Sequence, residues 1–318
     1  MADSLLAAVD RAAELLGPLA ARRVPLGPLT TYRVGGPAAL GVTPADESDL
    51  AAVSRAVRDS GVAVLAVGRG SNLLIADAGF AGLAVIVRDT FDAVDIDGTV
   101  VRAGAGASLP VLARRAAAAG LTGLEWAVGI PGSVGGAVRM NAGGHGSDLA
   151  AVLRRARIVD LRTGRAEWRG PGELNLTYRH SALGPDDVVV AAELVGRPGD
   201  RQVAEALIDD IVRWRRVNQP GGQNAGSVFT NPRGDAAGRL IEQAGLKGFR
   251  IGTASVSTKH ANFIQADDGG SADDVRAVVR AVADAVRSRF GVELHTEIRL
   301  IGFPDTYPHE MARGDGRA

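Results

Sequence analysis

Val62-Ala63-Val64-Leu65-Ala66-Val67-Gly68-Arg69-Gly70-Ser71-Asn72 is the stretch whose reading sets the fold class. The unbroken apolar run Val62 to Val67 reads as a buried strand. Glycines directly after it free the backbone to turn its N–H groups toward an anion, and Ser71 and Asn72 add side-chain donors. Such a loop can cradle a phosphate or pyrophosphate. It is neither the Walker motif nor the Rossmann fingerprint, and a plain turn would carry the same residues.

Working outward, Thr43-Pro44-Ala45-Asp46 reads as a capping box that opens a helix. Leu50, Val53 and Val57 share one face of that helix and Gly61 ends it, giving a helix–strand–glycine loop unit. Leu83 to Val87 and Val94 to Arg102 read as two further strands, and Ser108 with Pro110 opens a helix that Gly120 terminates. A second glycine segment follows, Gly129-Ile130-Pro131-Gly132-Ser133-Val134-Gly135-Gly136-Ala137, then Asn141-Ala142-Gly143-Gly144. Glycines beside apolar residues imply close backbone approach, to something flat or bulky or to a neighbouring helix. Two such loops suggest a large dinucleotide, although glycine content alone leaves both alternatives open.

Beyond it, Arg154 to Asp160, Arg165 to Trp168 and Val188 to Val195 read as strands. A helix from about Arg201 to Arg216 carries Val203, Leu207, Ile211 and Trp214 at helical spacing, and a new domain begins near residue 200. Next come a helix at about 235–244 closed by Gly245 and strands near 249–256 and 261–265. A helix opened by Ser271-Ala272-Asp273-Asp274 follows. Its apolar stripe is Val275, Val278, Val279, Val282, Val286 and Phe290, and Val292 to Ile301 alternates as a final strand. Ser4 to Leu16 forms a short N-terminal helical arm stopped by Gly17-Pro18, and the tail at 304–318 reads as disordered. The pattern is α+β.

Composition narrows the function. At 318 residues the chain has room for about two domains. Lys plus Arg and Asp plus Glu number 36 each, so no net charge favours nucleic acid or an anionic membrane surface. Cysteine is absent, which excludes disulfides, thiolate metal sites and a Cys nucleophile and points to the cytoplasm. The longest uncharged stretch, Trp126 to Val138, is too short to span a membrane, and the N-terminus shows no secretory signal. Five histidines without an HExxH pattern or carboxylate cluster argue against a metal, leaving His145 and His260 as hydrogen-bonding wall residues.

Seven ordered motifs carry a resemblance over about residues 25–303: GRGSNLLI (68–75), GIPGSVGGAVRMNAG (129–143), TYRHS (177–181), NAGSVFTNP (224–232), GLKGFRIG (245–252), KHANFI (259–264) and LHTEIRLIG (294–302). The sequence resembles the UDP-N-acetylenolpyruvoylglucosamine reductase (MurB) family, which has the FAD-binding fold of the vanillyl-alcohol oxidase/PCMH type. The resemblance implies an α+β chain of two FAD-binding subdomains, 23–90 and 91–198, after an arm at 1–22. A C-terminal α/β substrate-binding domain at 199–303 would close over a UDP-sugar. FAD would be held non-covalently by Gly68, Arg69, Gly70, Ser71, Asn72 and Leu73, by Ile130, Pro131, Gly132, Ser133, Gly135 and Gly136, and by Asn141, Ala142 and Gly143. NADPH would reduce the flavin, which would pass hydride to an enolpyruvyl ether, giving UDP-N-acetylmuramate for peptidoglycan synthesis.

That chemistry builds negative charge on the enolpyruvyl carboxylate, so it needs fixed donors and one proton source. By motif, Arg179 matches the stabilising arginine, Ser227 the proton donor and Glu297 an active-site carboxylate, with Tyr178 and Asn231 as substrate contacts. Lys259 and Asn262 read as braces of the closing domain. Outside the resemblance, Arg179 reads as a surface residue, Ser227 as a turn cap and Glu297 as part of a solvated strand face. Thr230 stands where relatives commonly carry Lys, and Gly144-His145 where Ala-Tyr is frequent. No long insertion lies between Pro198 and Asn218, as in the shorter type of the family. Two rival readings are another oxidoreductase on the same flavin fold, since one fold hosts many reactions, and a non-catalytic nucleotide-binding protein. The three later motifs separate the reductase from both.

Overall fold

Local capping places most of the helices. The computed structural model describes residues 2–304, so the expected tail lies, from 305 onward, outside the described residues. The N-terminal helix runs Ala2–Leu16. The next, Glu47–Ser60, starts later than the expected box at Thr43. Its cap is Asp46, whose carboxylate accepts the N–H groups of Ser48 (2.8 Å) and Asp49 (3.1 Å). Asp49 in return accepts the N–H of Ala45 at 2.7 Å. A carboxylate reaching two otherwise unpaired donors fixes the first turn there. Gly61 ends the helix in the left-handed conformation, φ 72°.

The chain forms two compact units, each assembled from separated segments. The first takes the chain up to Val24, then 38–69 and 81–215; the second takes 25–37, 70–80 and the chain from Arg216 onward.

In the first unit a four-stranded sheet runs in the order Ala21–Pro25, Pro37–Val42, Phe80–Ile86, Val64–Val67, the last two parallel. The apolar run expected to be a fully buried strand is therefore an edge strand. Val62 and Val67 are buried, whereas Ala66 is exposed, because an edge strand lacks a neighbour on one side. A five-stranded antiparallel sheet follows, ordered Ala166–Arg169, Leu153–Asp160, Asp187–Val195, Val100–Gly104, Val94–Asp97. The expected single strand from Val94 to Arg102 is thus a hairpin, turned at Gly98 with φ 57°.

The helix Leu109–Ala118 buries Leu112, Ala113, Ala116 and Ala117 in the same core. The helix Arg201–Asn218 buries Ala204, Ile208 and Ile211, whereas Val203, Leu207 and Trp214 are exposed. The expected stripe shares only Ile211 with the buried face, which lies one residue, about 100°, further round the helix.

In the second unit the helix Ala272–Phe290 is capped by Ser271, whose hydroxyl accepts the Asp274 N–H at 3.2 Å, and closed by Gly291. Val275, Val278, Val279, Val282 and Val286 are buried as the spacing predicts. They pack with a three-stranded antiparallel sheet of Arg250–Ile251, Ala254–Val256 and Ile264–Ala266. The expected strand at 249–256 is therefore a hairpin, and the one expected at 261–265 begins at Ile264. The helix expected at 235–244 runs Ala237–Gln243. The last strand is only Arg299–Ile301, pairing parallel with Leu73–Ile75. Before it, Leu294, Thr296 and Ile298 are buried, in the alternation read from sequence.

One buried charge is built into the five-stranded sheet. Glu193, its side chain 3% exposed, accepts two hydrogen bonds from Arg155 at 2.8 Å and one from Arg102 at 3.3 Å, each from an adjacent strand. The Arg155 hydrogen bonds hold its carboxyl below the ordinary carboxylate range, against the opposing effect of burial. A lowered folded value stabilises fully above the unfolded value of about 4.3, and that contribution disappears as pH falls through the folded value. Glu193→Gln should cost about 1–3 kcal/mol at pH 7. In thermal melts the gap to wild type should close on acidification below about pH 4; an unchanged gap at pH 3 would remove the charge from the account.

Candidate functional site

In the second unit, Ser227 and Glu297 belong to two segments that lie side by side. Glu297 donates its N–H to the Val228 carbonyl at 2.7 Å, Thr230 donates to the His295 carbonyl at 2.9 Å, and Phe229 bridges Thr296 antiparallel. On the other side of residues 228–229 stands Asn262. Its carbonyl accepts the Val228 N–H at 2.9 Å, its Oδ1 accepts the Phe229 N–H at 3.0 Å, and its Nδ2 donates to the Phe229 carbonyl at 2.8 Å. Ser227 and Glu297 are both half-buried.

The first glycine loop is divided between the units: Gly68 and Arg69 belong to the first, Gly70 to Leu73 to the second. Gly70 has φ 62°, and a Cβ there would lie 2.3 Å from the Leu29 carbonyl oxygen, so only glycine fits. Asn72 donates its Nδ2 to the Glu297 carbonyl at 3.0 Å, and its own carbonyl accepts the Arg299 N–H at 2.8 Å. A residue expected at a cofactor thus also fixes the backbone of Glu297.

In the first unit the two glycine segments meet. A Cβ on Gly68 would lie 2.3 Å from the Ser133 hydroxyl. That hydroxyl caps the helix Val134–Met140 by accepting the Gly136 N–H at 3.3 Å. Gly135 donates its N–H to the Ala105 carbonyl at 2.8 Å. Arg88 donates its Nε to the Gly68 carbonyl at 3.0 Å, and Arg69 pairs with Asp92 at 3.1 Å. Buried Trp126 keeps an indole N–H with no protein acceptor among the described residues. Close-approaching glycines, a buried donor left unused and guanidinium groups at the loop fit a flat ring system carrying a diphosphate.

Arg179 also lies in this unit, in a tight turn where Thr177 and His180 exchange two backbone hydrogen bonds of 3.1 Å. It sits at φ 58°, beside the Tyr178 ring, and donates its Nη2 to the Gly143 carbonyl at 2.9 Å. Asn141, buried at φ 40°, ties the same turn down: its Nδ2 donates to the Thr177 carbonyl and its Oδ1 accepts the Ala150 N–H, both at 2.9 Å. So Arg179 and the Asn141–Gly143 segment are brought together in the first unit, and Ser227, Glu297 and Asn72 in the second. Tyr178 is exposed, whereas Asn231 in the second unit accepts the Ala237 N–H at 3.1 Å, at the start of the helix Ala237–Gln243.

His145 sits at a hairpin tip, edge-on to Trp214 with ring centroids 5.2 Å apart. Burial and then the nearby Arg215 hold its imidazole below the ordinary histidine range. His260 is lowered too, mainly by burial, and its Nδ1 accepts the Asn262 N–H at 3.3 Å. Among the described residues no three histidine or carboxylate side chains are placed to hold a metal, and no helix is long and apolar enough to cross a membrane. Sequence reasoning treated Asn262 only as a brace and missed its target. The available signal was a lone amide between Ala261 and Phe263 in an apolar run.

Residues 38–169 match the family described as "FAD binding domain", and residues 217–301 match "UDP-N-acetylenolpyruvoylglucosamine reductase, C-terminal domain". A UDP-N-acetylenolpyruvoylglucosamine reductase of Heliobacterium modesticaldum is 44% identical over 87% of this chain and 89% of its own length. The UDP-N-acetylenolpyruvoylglucosamine reductase 2 of Symbiobacterium thermophilum is 43% identical over 90% and 94%. The crystal structure of UDP-N-acetylenolpyruvylglucosamine reductase (MurB) from Thermus caldophilus superposes with a TM-score of 0.78 at 35% identity, covering 88% of this chain and 98% of that one.

The loop geometry makes one prediction independent of chemistry. Gly70→Ala combines a strained φ with a clash against backbone and should destabilise by about 1–3 kcal/mol or more, read as a lower urea midpoint. A midpoint equal to wild type would show that the loop can relax.

Proposed function

Because the chain belongs to the UDP-N-acetylenolpyruvoylglucosamine reductase family, whose members are FAD-dependent oxidoreductases, we propose that it uses NADPH to reduce UDP-N-acetylglucosamine enolpyruvate to UDP-N-acetylmuramate, with Ser227 as proton donor. The reading assigns residues 23–90 and 91–198 to FAD, residues 199–303 to the UDP-sugar, and the reaction to the cytoplasm. The observation that carries it is the direct bond between the neighbours of Ser227 and the backbone of Glu297, which sets a hydroxyl and a carboxylate on adjacent segments.

Bound FAD would supply a hydride taken from NADPH. The residues at Gly68, Arg69 and 129–143 would hold it; the glycines among them, the indole N–H of Trp126 just before them in the chain and the guanidinium groups of Arg69 and Arg88 fit that task. Hydride addition leaves negative charge on the enolpyruvyl carboxylate. Arg179 meets that need, because a guanidinium is permanently charged and can fork onto two oxygens. Its turn, tied by Asn141 and by its own bond to Gly143, limits the rearrangement needed to present it. Ser227 would protonate the carbon next to the one that receives hydride. A serine hydroxyl is a weak acid, so it must be aligned closely and given its proton back by a neighbour or water, while Glu297 would help to protonate or stabilise the enol. Tyr178 and Asn231 would contact the rest of the substrate.

Two variants test the assignment by separating the half-reactions. Ser227→Ala should leave flavin reduction by NADPH fast and slow reoxidation by the enolpyruvyl substrate by about 10²–10⁴-fold, followed by stopped-flow absorbance of the flavin; equal slowing of both halves would take the acid role from Ser227. Arg179→Lys keeps the charge but loses the fork, and should lose at least about tenfold in reoxidation alone. Near-normal turnover would count against direct carboxylate contact.

A further inference from the structure

Asn262 is 4% exposed, and its carboxamide and its carbonyl all bond to residues 228 and 229. A carboxamide has the same donor and acceptor as a peptide group. At 3.0 and 2.8 Å, the Asn262 side chain pairs with both backbone groups of Phe229 as a strand neighbour would. Residues 228–229 are therefore held from both sides, by Asn262 on one and by residues 295–297 on the other.

The chain before Ser227 is held from within its own loop: the Gly226 N–H donates to the Asn224 Oδ1 at 3.0 Å, and Ala225 is buried. Gly226 precedes it at φ 75°, and a Cβ there would meet no atom within 4 Å. Residues outside the loop fix Ser227 from its C-terminal side, through Val228 and Phe229. Glu297 takes its position from the same place, because its N–H bonds to the Val228 carbonyl. We propose that Asn262 is a positioning residue that, through Val228 and Phe229, sets the Ser227 hydroxyl for proton transfer; this rests on the reading of the reaction given above.

Removing the amide leaves two buried polar groups of Phe229 without partners, and the local backbone shifts to reach others. A misplacement on the order of 1 Å is enough to cost about 10²-fold in a step that depends on alignment. The effect belongs to reoxidation, because the reduction of the flavin by NADPH does not use Ser227.

The test has two parts on the FAD-loaded protein. First, hydrogen–deuterium exchange of the wild type should show the Val228 and Phe229 amides as slow as those of the helix Ala272–Phe290; fast exchange would overturn the clamp. Second, Asn262→Ala and Asn262→Ser should speed exchange at 228–229 and not in that helix. Both should slow reoxidation by the enolpyruvyl substrate about 10²-fold while flavin reduction stays within about twofold and the KM for the substrate changes little. Equal loss in both half-reactions, or none in either, would overturn the proposal. If neither variant folds, the wild-type exchange result alone decides the clamp. Slow wild-type exchange together with no reoxidation of wild-type flavin by the enolpyruvyl substrate would defeat the reading of the reaction and leave the clamp standing.

Discussion

The hydrogen bond from the Glu297 N–H to the Val228 carbonyl, 2.7 Å long, is the constraint on which the second unit's polar geometry depends. The two segments it joins are not regular strands, and buried peptide groups that lack a ladder must find partners singly. They do so through an isolated bridge at Phe229 and Thr296, the Asn262 carboxamide, and the Asn72 amide on the Glu297 carbonyl. Each partner fixes one or two peptide groups, and together they fix both sides of the pair that carries Ser227 and Glu297. A segment 225 residues earlier in the chain thereby helps to set Glu297, and the glycine at position 70 is what lets that segment turn in time to reach it.

The first unit solves a similar problem with strain. Asn141, His145 and Arg179 all adopt positive φ, which non-glycine residues occupy at a cost of order 1–3 kcal/mol. Such conformations persist only where the surroundings over-determine them. Here the Asn141 amide binds the Thr177 carbonyl and the Arg179 guanidinium binds the Gly143 carbonyl, so Asn141 and Arg179 each hold the segment that carries the other. The arginine is presented by a turn that is locked from within, which is the preorganisation that the role proposed for it requires.

Much of this was legible from local signals. Ser271, Gly291 and the valine stripe between them specify the helix Ala272–Phe290 by themselves, since cap, end and buried face all lie within one segment. The glycine loops stood out by composition, whereas Arg179, Ser227 and Glu297 were singled out only by the resemblance of their motifs. Most of what escaped was decided by tertiary context. The helix Arg201–Asn218 has apolar residues on two faces, Val203 and Leu207 on one, Ala204 and Ile208 on the other, and only packing selects between them. The hairpin at Gly98 did carry a local signal, the Asp97-Gly98 dipeptide between alternating apolar positions, and reading one continuous strand passed over it. The target of Asn262 lies 33 residues away, beyond the reach of any local pattern.

The choice of asparagine over a longer strand has a physical logic. A regular strand neighbour would continue past Phe229 and pair with Gly226 and Ser227 as well, covering the hydroxyl's backbone and filling the space beside it. A single carboxamide pairs with one peptide and stops, so the ladder ends immediately before the serine. The backbone of Val228 and Phe229 is then as restrained as a sheet interior, whereas Gly226 faces open space and Ser227 remains half-buried. Rigidity and access make opposite demands on adjacent residues, and a side chain that imitates one peptide group lets both be met within three positions of the chain.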